Sequence, residues 1–164
     1  MILSHAKIKS ILPHRYPMLL VDTVKSLEPG VSIVATKNVT GNEPCFAALA
    51  DWAGPEQYAY PRTLIMESFG QAAGIIFTMD QRQAKLPSHE VLFFGAATRC
   101  HFHEDVFPGD TLEHRACLER RLSDAAVFSG EVWVGDRRVV EIERMIMVSR
   151  PTTLLDQYII RDQR

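Results

Sequence analysis

Cysteine is scarce: the three present, Cys45, Cys100 and Cys117, are odd in number and widely spaced. That usage suits a reducing compartment better than a disulfide framework or a zinc site. No apolar run is long enough to span a membrane. The N-terminal stretch Met1–Lys9 lacks the apolar core and cleavage site of a secretory signal, so the cytoplasm is the expected location. An excess of either charge is missing too. Eighteen Lys and Arg stand against 20 Asp and Glu, interspersed, with a net charge of −2. Nothing here marks a nucleic-acid surface. There is no internal repeat and no low-complexity segment. Histidine is absent from the middle of the chain: none lies between His14 and His89.

What remains is ordinary globular material, 46% hydrophobic and 23% charged. Its 164 residues suffice for one domain with a sizeable core, expected over residues 1–150, followed by a C-terminal tail at 151–164. The organising stretch is Pro61–Gln83. Proline suits a first helical turn, where its missing N–H would be unpaired in any case. Leu64, Ile65, Phe69, Ala72, Ala73, Ile75, Ile76 and Met79 then cover most of a helix's circumference. A helix apolar nearly all round is one buried on most sides. Gly70 and Gly74, four apart, share a face that another backbone could approach.

Glu67 interrupts this helix. A buried carboxylate is unfavourable unless it is paired or its pKa rises. Gln71, one turn on, can hydrogen-bond it without neutralising it. Two readings stay open: a polar helix edge at a loop or subunit contact, or a carboxyl group kept dry for acid–base work. In the second, desolvation by Leu64, Phe69 and an opposing sheet is expected to raise its pKa.

Before this helix, Ser4 is placed to cap a short helix with Ile8, Ile11 and Leu12 inward, ended by Pro13. Leu19–Leu27 and Val31–Val39 read as a hairpin around Glu28-Pro29-Gly30. Gly41–Tyr60 reads as a loop. Its Trp52, Tyr58 and Tyr60 imply that part of it packs on the body. A break at Lys85–Ser88 precedes four strands: Val91–His103, Leu112–Leu122, Ala125–Val134 and Arg138–Ser149. Short turns suited to antiparallel pairing separate them. A short helix, a hairpin, a long buried helix and an antiparallel meander make an α+β domain.

Several segments, taken in order, resemble the FabZ-type (3R)-hydroxyacyl-[acyl carrier protein] dehydratases. They are Ile11–Asp22 (I-L-P-H-R-Y-P-M-L-L-V-D), Lys37–Thr40 with Asn42-Glu43-Pro44, Glu67–Gly74 (E-S-F-G-Q-A-A-G) and Val106–Leu112 (V-F-P-G-D-T-L). The resemblance implies a hot-dog fold, an antiparallel sheet wrapped around the central helix. It also implies a homo- or heterodimer whose sheets join, and an acyl carrier protein partner bearing a phosphopantetheine-linked acyl substrate. It implies no cofactor and no metal.

In that family a histidine of one subunit and a carboxylate on the other's central helix flank the α and β carbons of the thioester. Glu67 matches the carboxylate and Gln71 the glutamine that accompanies it. The histidine has no match. Its G-H-F-P-G loop corresponds to Cys45–Pro61, about four residues longer, and Leu49 occupies its place. Arg62 replaces the glycine after the helix-starting proline, and its backbone N–H remains able to polarise a thioester carbonyl. His101-Phe102-His103-Glu104-Asp105 replaces a basic stretch, which weakens carrier-protein docking there. The resemblance thus assigns catalysis to Glu67 and substrate binding to Arg62, Gln71, Leu49 and Tyr60.

The other histidines offer little. His14 reads as a hydrogen-bonded histidine near a turn. His101 and His103 share a strand face, read as solvated rather than metal-binding. His5, His89 and His114 carry no motif, and Ser68 has no evident histidine partner for nucleophilic work. Three functional expectations follow: a dehydratase subunit of fatty-acid, reducing type II polyketide or aryl-polyene synthesis that borrows its histidine from a sister chain; a non-catalytic acyl-carrier scaffold; or a thioesterase in which Glu67 activates water.

Overall fold

The computed structural model describes residues 1–84 and 90–151, with only the backbone described at Val91. The break expected at Lys85–Ser88, His89 and the tail from Thr152 lie outside the described residues. The elements run α1 (His5–Ile11), β1 (Thr23–Glu28), β2 (Ser32–Asn38), two short 3₁₀ turns (Pro44–Phe46 and Pro55–Tyr58) and α2 (Arg62–Gln83). Then come β3 (Glu90–Phe102), β4 (Thr111–Arg121), β5 (Ala125–Val134) and β6 (Arg137–Pro151). The six strands form one antiparallel sheet in the order β1-β2-β4-β5-β6-β3. This is the hot-dog fold, an α+β sheet wrapped around one long helix.

Burial of α2 explains the wrap. Ile65, Phe69, Ala72, Ala73, Ile75 and Ile76 are all buried, as a helix apolar on most sides demands. They meet Ile33, Leu112, Phe128, Val132, Val140, Ile142 and Met145 from the concave side of the sheet. Contact is close at Gly130 of β5. A Cβ there would stand 2.9 Å from Phe69 Cζ and run into the Arg115 carbonyl, so a side chain would push sheet and helix apart. The β1–β2 turn relies on Gly30, whose φ of +74° is in the left-handed region.

Three local expectations need correction. Ser4 stands at the N-cap of α1 but makes no side-chain capping bond. The first strand begins at Thr23 instead of Leu19, because the Leu20 N–H donates to the Gln71 side chain (2.9 Å) instead of to a neighbouring strand. Gly70 and Gly74 face no backbone. A Cβ at either would make only ordinary contacts, with Met145 Sδ at 3.7 Å and Leu12 Cδ2 at 4.0 Å. The space they leave is a cleft.

The Gly41–Tyr60 loop is tied down at one end and open at the other. Lys37 and Glu43 form a largely buried ion pair (2.5 Å), and Phe46 packs on Tyr58 and Tyr60. Trp52 stands out in solvent, 85% exposed. Strand β3 closes one side of the sheet, hydrogen-bonded among the described residues to β6 alone, with Phe93 and Phe94 exposed on it.

Candidate active site

Glu67, Gly70, Gln71, Gly74 and Thr78 recur at three- and four-residue intervals, so they share one face of α2. That face floors a cleft of ≈ 440 Å³ walled by Leu12, Pro13 and His14 on one side and by Leu92, Phe93 and Phe94 on the other. A second, more open space of ≈ 610 Å³ lies beyond Glu67, lined by Arg62, Met66, Phe94, Ala97, Cys100 and Phe102. Glu67 and Phe94 border both. The carboxylate therefore stands where two largely apolar spaces meet, suited to an acyl chain with a polar reacting centre.

The Glu67 side chain is 30% exposed and has partners. Gln71 Nε2 donates to Oε1 at 2.9 Å, and His14 Nε2 lies 3.3 Å from the same oxygen. Among the described residues no group donates to Oε2. The contact with His14 holds the carboxyl below the usual carboxylate range and outweighs the upward push of burial, with Gln71 adding to the lowering. The expected raised pKa is thus corrected: desolvation is present, but a donor 53 positions earlier in the sequence overrides it. His14, read as structural from its turn-like surroundings, belongs to the site.

Gln71 is itself buried. Its Oε1 accepts the Leu20 N–H, and its Nε2 donates to the Met18 carbonyl (2.6 Å) as well as to Glu67. Every polar capacity of the amide facing this loop is engaged, so Gln71 orients Glu67 and fastens the Arg15–Leu20 loop to the helix.

Arg62 lies exposed at the mouth of the second space. It is paired with Asp105 (3.1 Å), and its guanidinium is 5.1 Å from the Phe102 ring centroid. Pro61 accepts the N–H groups of Leu64 and Ile65. The Arg62 and Thr63 N–H groups have no partner among the described residues, the usual state of a helix's first amides. Leu49 and Tyr60 line neither space. Leu49 packs half-buried against the core. Tyr60 is buried, its hydroxyl unpartnered and its pKa pushed up chiefly by burial.

Ser68 has a histidine partner after all. Its Oγ lies 2.9 Å from His114 Nε2, contrary to the sequence reading, which could not see a contact 46 positions long. The pair is sealed in the core. Both residues are 0% exposed, and burial depresses the His114 pKa from 6.5 to about 3. Ser68 Oγ also donates to the Ile65 carbonyl (3.0 Å), which leaves His114 Nε2–H to donate to Oγ. A nucleophile needs access to substrate, and this one has none. On the outer face His101 and His103 sit across from Glu143 (4.0 Å) and Glu141 (3.7 Å).

Residues 12–143 match the model of the FabA-like domain. The chain is 38% identical over 141 residues to a 3-hydroxyacyl-[acyl-carrier-protein] dehydratase FabZ of Clostridium kluyveri, covering 86% of this chain and 92% of that one. A FabZ of Clostridium tetani is 37% identical over 142 residues, covering 86% and 94%. Among solved structures, the dehydratase heterocomplex ApeI:P of Xenorhabdus doucetiae superposes with a TM-score of 0.69 at 21% identity, over 93% of this chain and 96% of that one. That likeness is one of fold. With four fifths of its length matched to the domain and its identity to the FabZ enzymes running nearly end to end, the chain belongs to the FabA-like dehydratase family.

Proposed function

We propose that this chain is the carboxylate-bearing subunit of a 3-hydroxyacyl thioester dehydratase, acting on acyl chains carried by an acyl carrier protein in fatty-acid or type II polyketide synthesis. The observation that carries the reading is the placement of Glu67. It is clamped by Gln71 at the junction of two largely apolar spaces, beside a sheet edge left open at β3. Dehydration breaks a Cα–H and a Cβ–O bond, so it needs a base at one carbon and a proton donor at the other. Glu67 serves the hydroxyl. It must take up a proton when substrate desolvates the site, and it gives that proton to the β-hydroxyl. The hydroxyl leaves as water while the Cα–H electron pair forms the double bond. A histidine of a sister chain takes the α-proton, since Leu49 stands at the family's histidine position. Arg62 is proposed to meet the polar part of the thioester arm, and Leu49 and Tyr60 to shape the loop presented to the partner. The FabZ relatives support the reaction class, and the ApeI:P dehydratase heterocomplex offers a precedent for the mixed pair.

A second reading has one observation in its favour. A Glu67 held ionised, with Oε2 free, is also suited to activating water against a thioester, as a hydrolase would require.

The test is to assay the purified chain alone and co-expressed with a histidine-bearing homologue, on both 3-hydroxyacyl and enoyl thioesters. The expected result is negligible interconversion by the chain alone, because a missing general base costs about 10²- to 10⁴-fold in rate, and robust turnover by the mixed pair. Rapid hydration and dehydration by the homodimer would overturn the partner assignment. Thioester hydrolysis without dehydration would favour the second reading.

A further inference from the structure

Glu67 Oε1 is doubly occupied, by Gln71 Nε2 at 2.9 Å and by His14 Nε2 at 3.3 Å, while Oε2 takes no donor among the described residues. The His14 ring has a defined orientation. Its Nδ1 is buried without a hydrogen-bond partner. A proton on Nδ1 alone would bury an unsatisfied donor and set a bare Nε2 against a carboxylate oxygen. The tautomer with Nε2–H directed at Glu67 avoids both. The loop carrying His14 is held in place by Gln71 itself, through the Met18 carbonyl and the Leu20 N–H, and by Arg15, which donates to the Leu12 carbonyl (2.9 Å).

We propose that His14 is a positioning residue for Glu67: with Gln71 it takes up Oε1, and so leaves Oε2 as the single oxygen presented to substrate. The inference rests on the reading of Glu67 as the reacting carboxylate and adds a residue of the same chain to it. Carboxylate syn and anti lone pairs differ in direction, so a Glu67 free to rotate would offer either oxygen in several poses. The Gln71 hydrogen bond and the close approach of His14 Nε2, both at Oε1, restrict that freedom before substrate arrives, which is how preorganisation contributes to rate. The lowered pKa of Glu67 agrees with the contact. Other charged groups line the same spaces: Lys9, Arg15, Arg82 and Glu90 on one side and Arg62 on the other. None of them hydrogen-bonds Glu67 among the described residues, so His14 is the group whose removal the carboxyl should register.

The direct experiment is a carboxyl-carbon NMR titration of the full chain labelled at glutamate, with the Glu67 signal assigned by its loss in Glu67→Gln. In His14→Ala the Glu67 midpoint should move to higher pH, and His14→Gln should show whether an uncharged donor restores part of the difference. In the active assembly, kcat of His14→Ala should fall by about 10- to 100-fold with KM little changed, and the limb of the pH–rate profile due to Glu67 should move to higher pH. Thermal melts of both variants establish that they fold. An unchanged Glu67 midpoint in folded His14→Ala, or an unchanged kcat, overturns the inference. A shifted midpoint in a chain whose Glu67→Gln variant keeps full activity in every assembly overturns the dehydratase reading instead, because the titration needs no substrate.

Discussion

Leu20 donates its backbone N–H to the Gln71 side chain at 2.9 Å, a buried bond that joins the loop before β1 to the middle of the central helix. The Gln71 Nε2 in turn donates to the Met18 carbonyl and to Glu67. One side chain therefore fixes both the loop that carries His14 and the carboxylate that His14 faces. Gln71→Leu should strand the buried Leu20 N–H and free the loop, and each buried group left unsatisfied costs about 1–3 kcal/mol. For a domain of this size each kcal/mol lowers Tm by about 2–4 °C. Calorimetry should show the drop, and a melt equal to wild type would mean that water replaces the clamp.

Glu67→Gln should leave the fold intact, because a glutamine oxygen can still accept from Gln71. Any dehydratase activity of the competent assembly should disappear. Circular dichroism checks the first statement and an enoyl-thioester assay the second. Full activity in the variant would remove Glu67 from the reaction.

A mixed pair should contain one working site. The proposed site that joins the sister's histidine to Glu67 has both groups, whereas the other would meet this chain's Cys45–Pro61 loop, which contains no histidine to accept the proton. The co-expressed pair should therefore take up a single equivalent of a mechanism-based dehydratase inactivator, read by intact mass. Two equivalents, or no association with a histidine-bearing homologue, would exclude the asymmetric pair. The exposed Trp52 loop gives such a pair a surface on which to discriminate between partners.

His114 should make the chain acid-sensitive. Its folded pKa is depressed from 6.5 to about 3, so the unfolded chain binds a proton that the folded chain refuses. Stability from this group is present above pH 6.5 and falls as pH drops through the window between the two values, by about 1.4 kcal/mol per pH unit. Denaturant midpoints measured between pH 5 and 6.5 isolate it, since Glu67, Glu113 and Glu131 have lowered pKa values and stay ionised there. A His114→Leu variant should lose this slope whatever its absolute stability. An equal slope in both proteins would assign the acid sensitivity to other groups.

Pattern alone placed the long helix, the hairpin and the four later strands within a few residues of their observed bounds, but not their order. Strand β3 pairs with β6 and β4 with β2, so the expected four-strand meander holds only for β4–β5–β6. The bounds depend on local matters: apolar residues all round Leu64–Met79, β-branched runs, and turn residues such as Gly30 and Gly135, both at positive φ. Glu67 was also legible, as the one charged residue between Arg62 and Asp80 of the helix. The surroundings of that acid were not. His14, the Leu20 amide and the Met18 carbonyl reach α2 from a loop more than 45 positions away, and two of the contacts involve backbone groups that every residue carries, so no residue type announces them. For the same reason Ser68 could not be matched to His114, and a carboxyl expected to have a raised pKa has a lowered one. Sequence determined which segments must be buried and that a carboxylate lies among them. Tertiary structure decided which donors meet that carboxylate and therefore its charge, because hydrogen bonds depend on ångström-scale approach between groups that chain order leaves far apart.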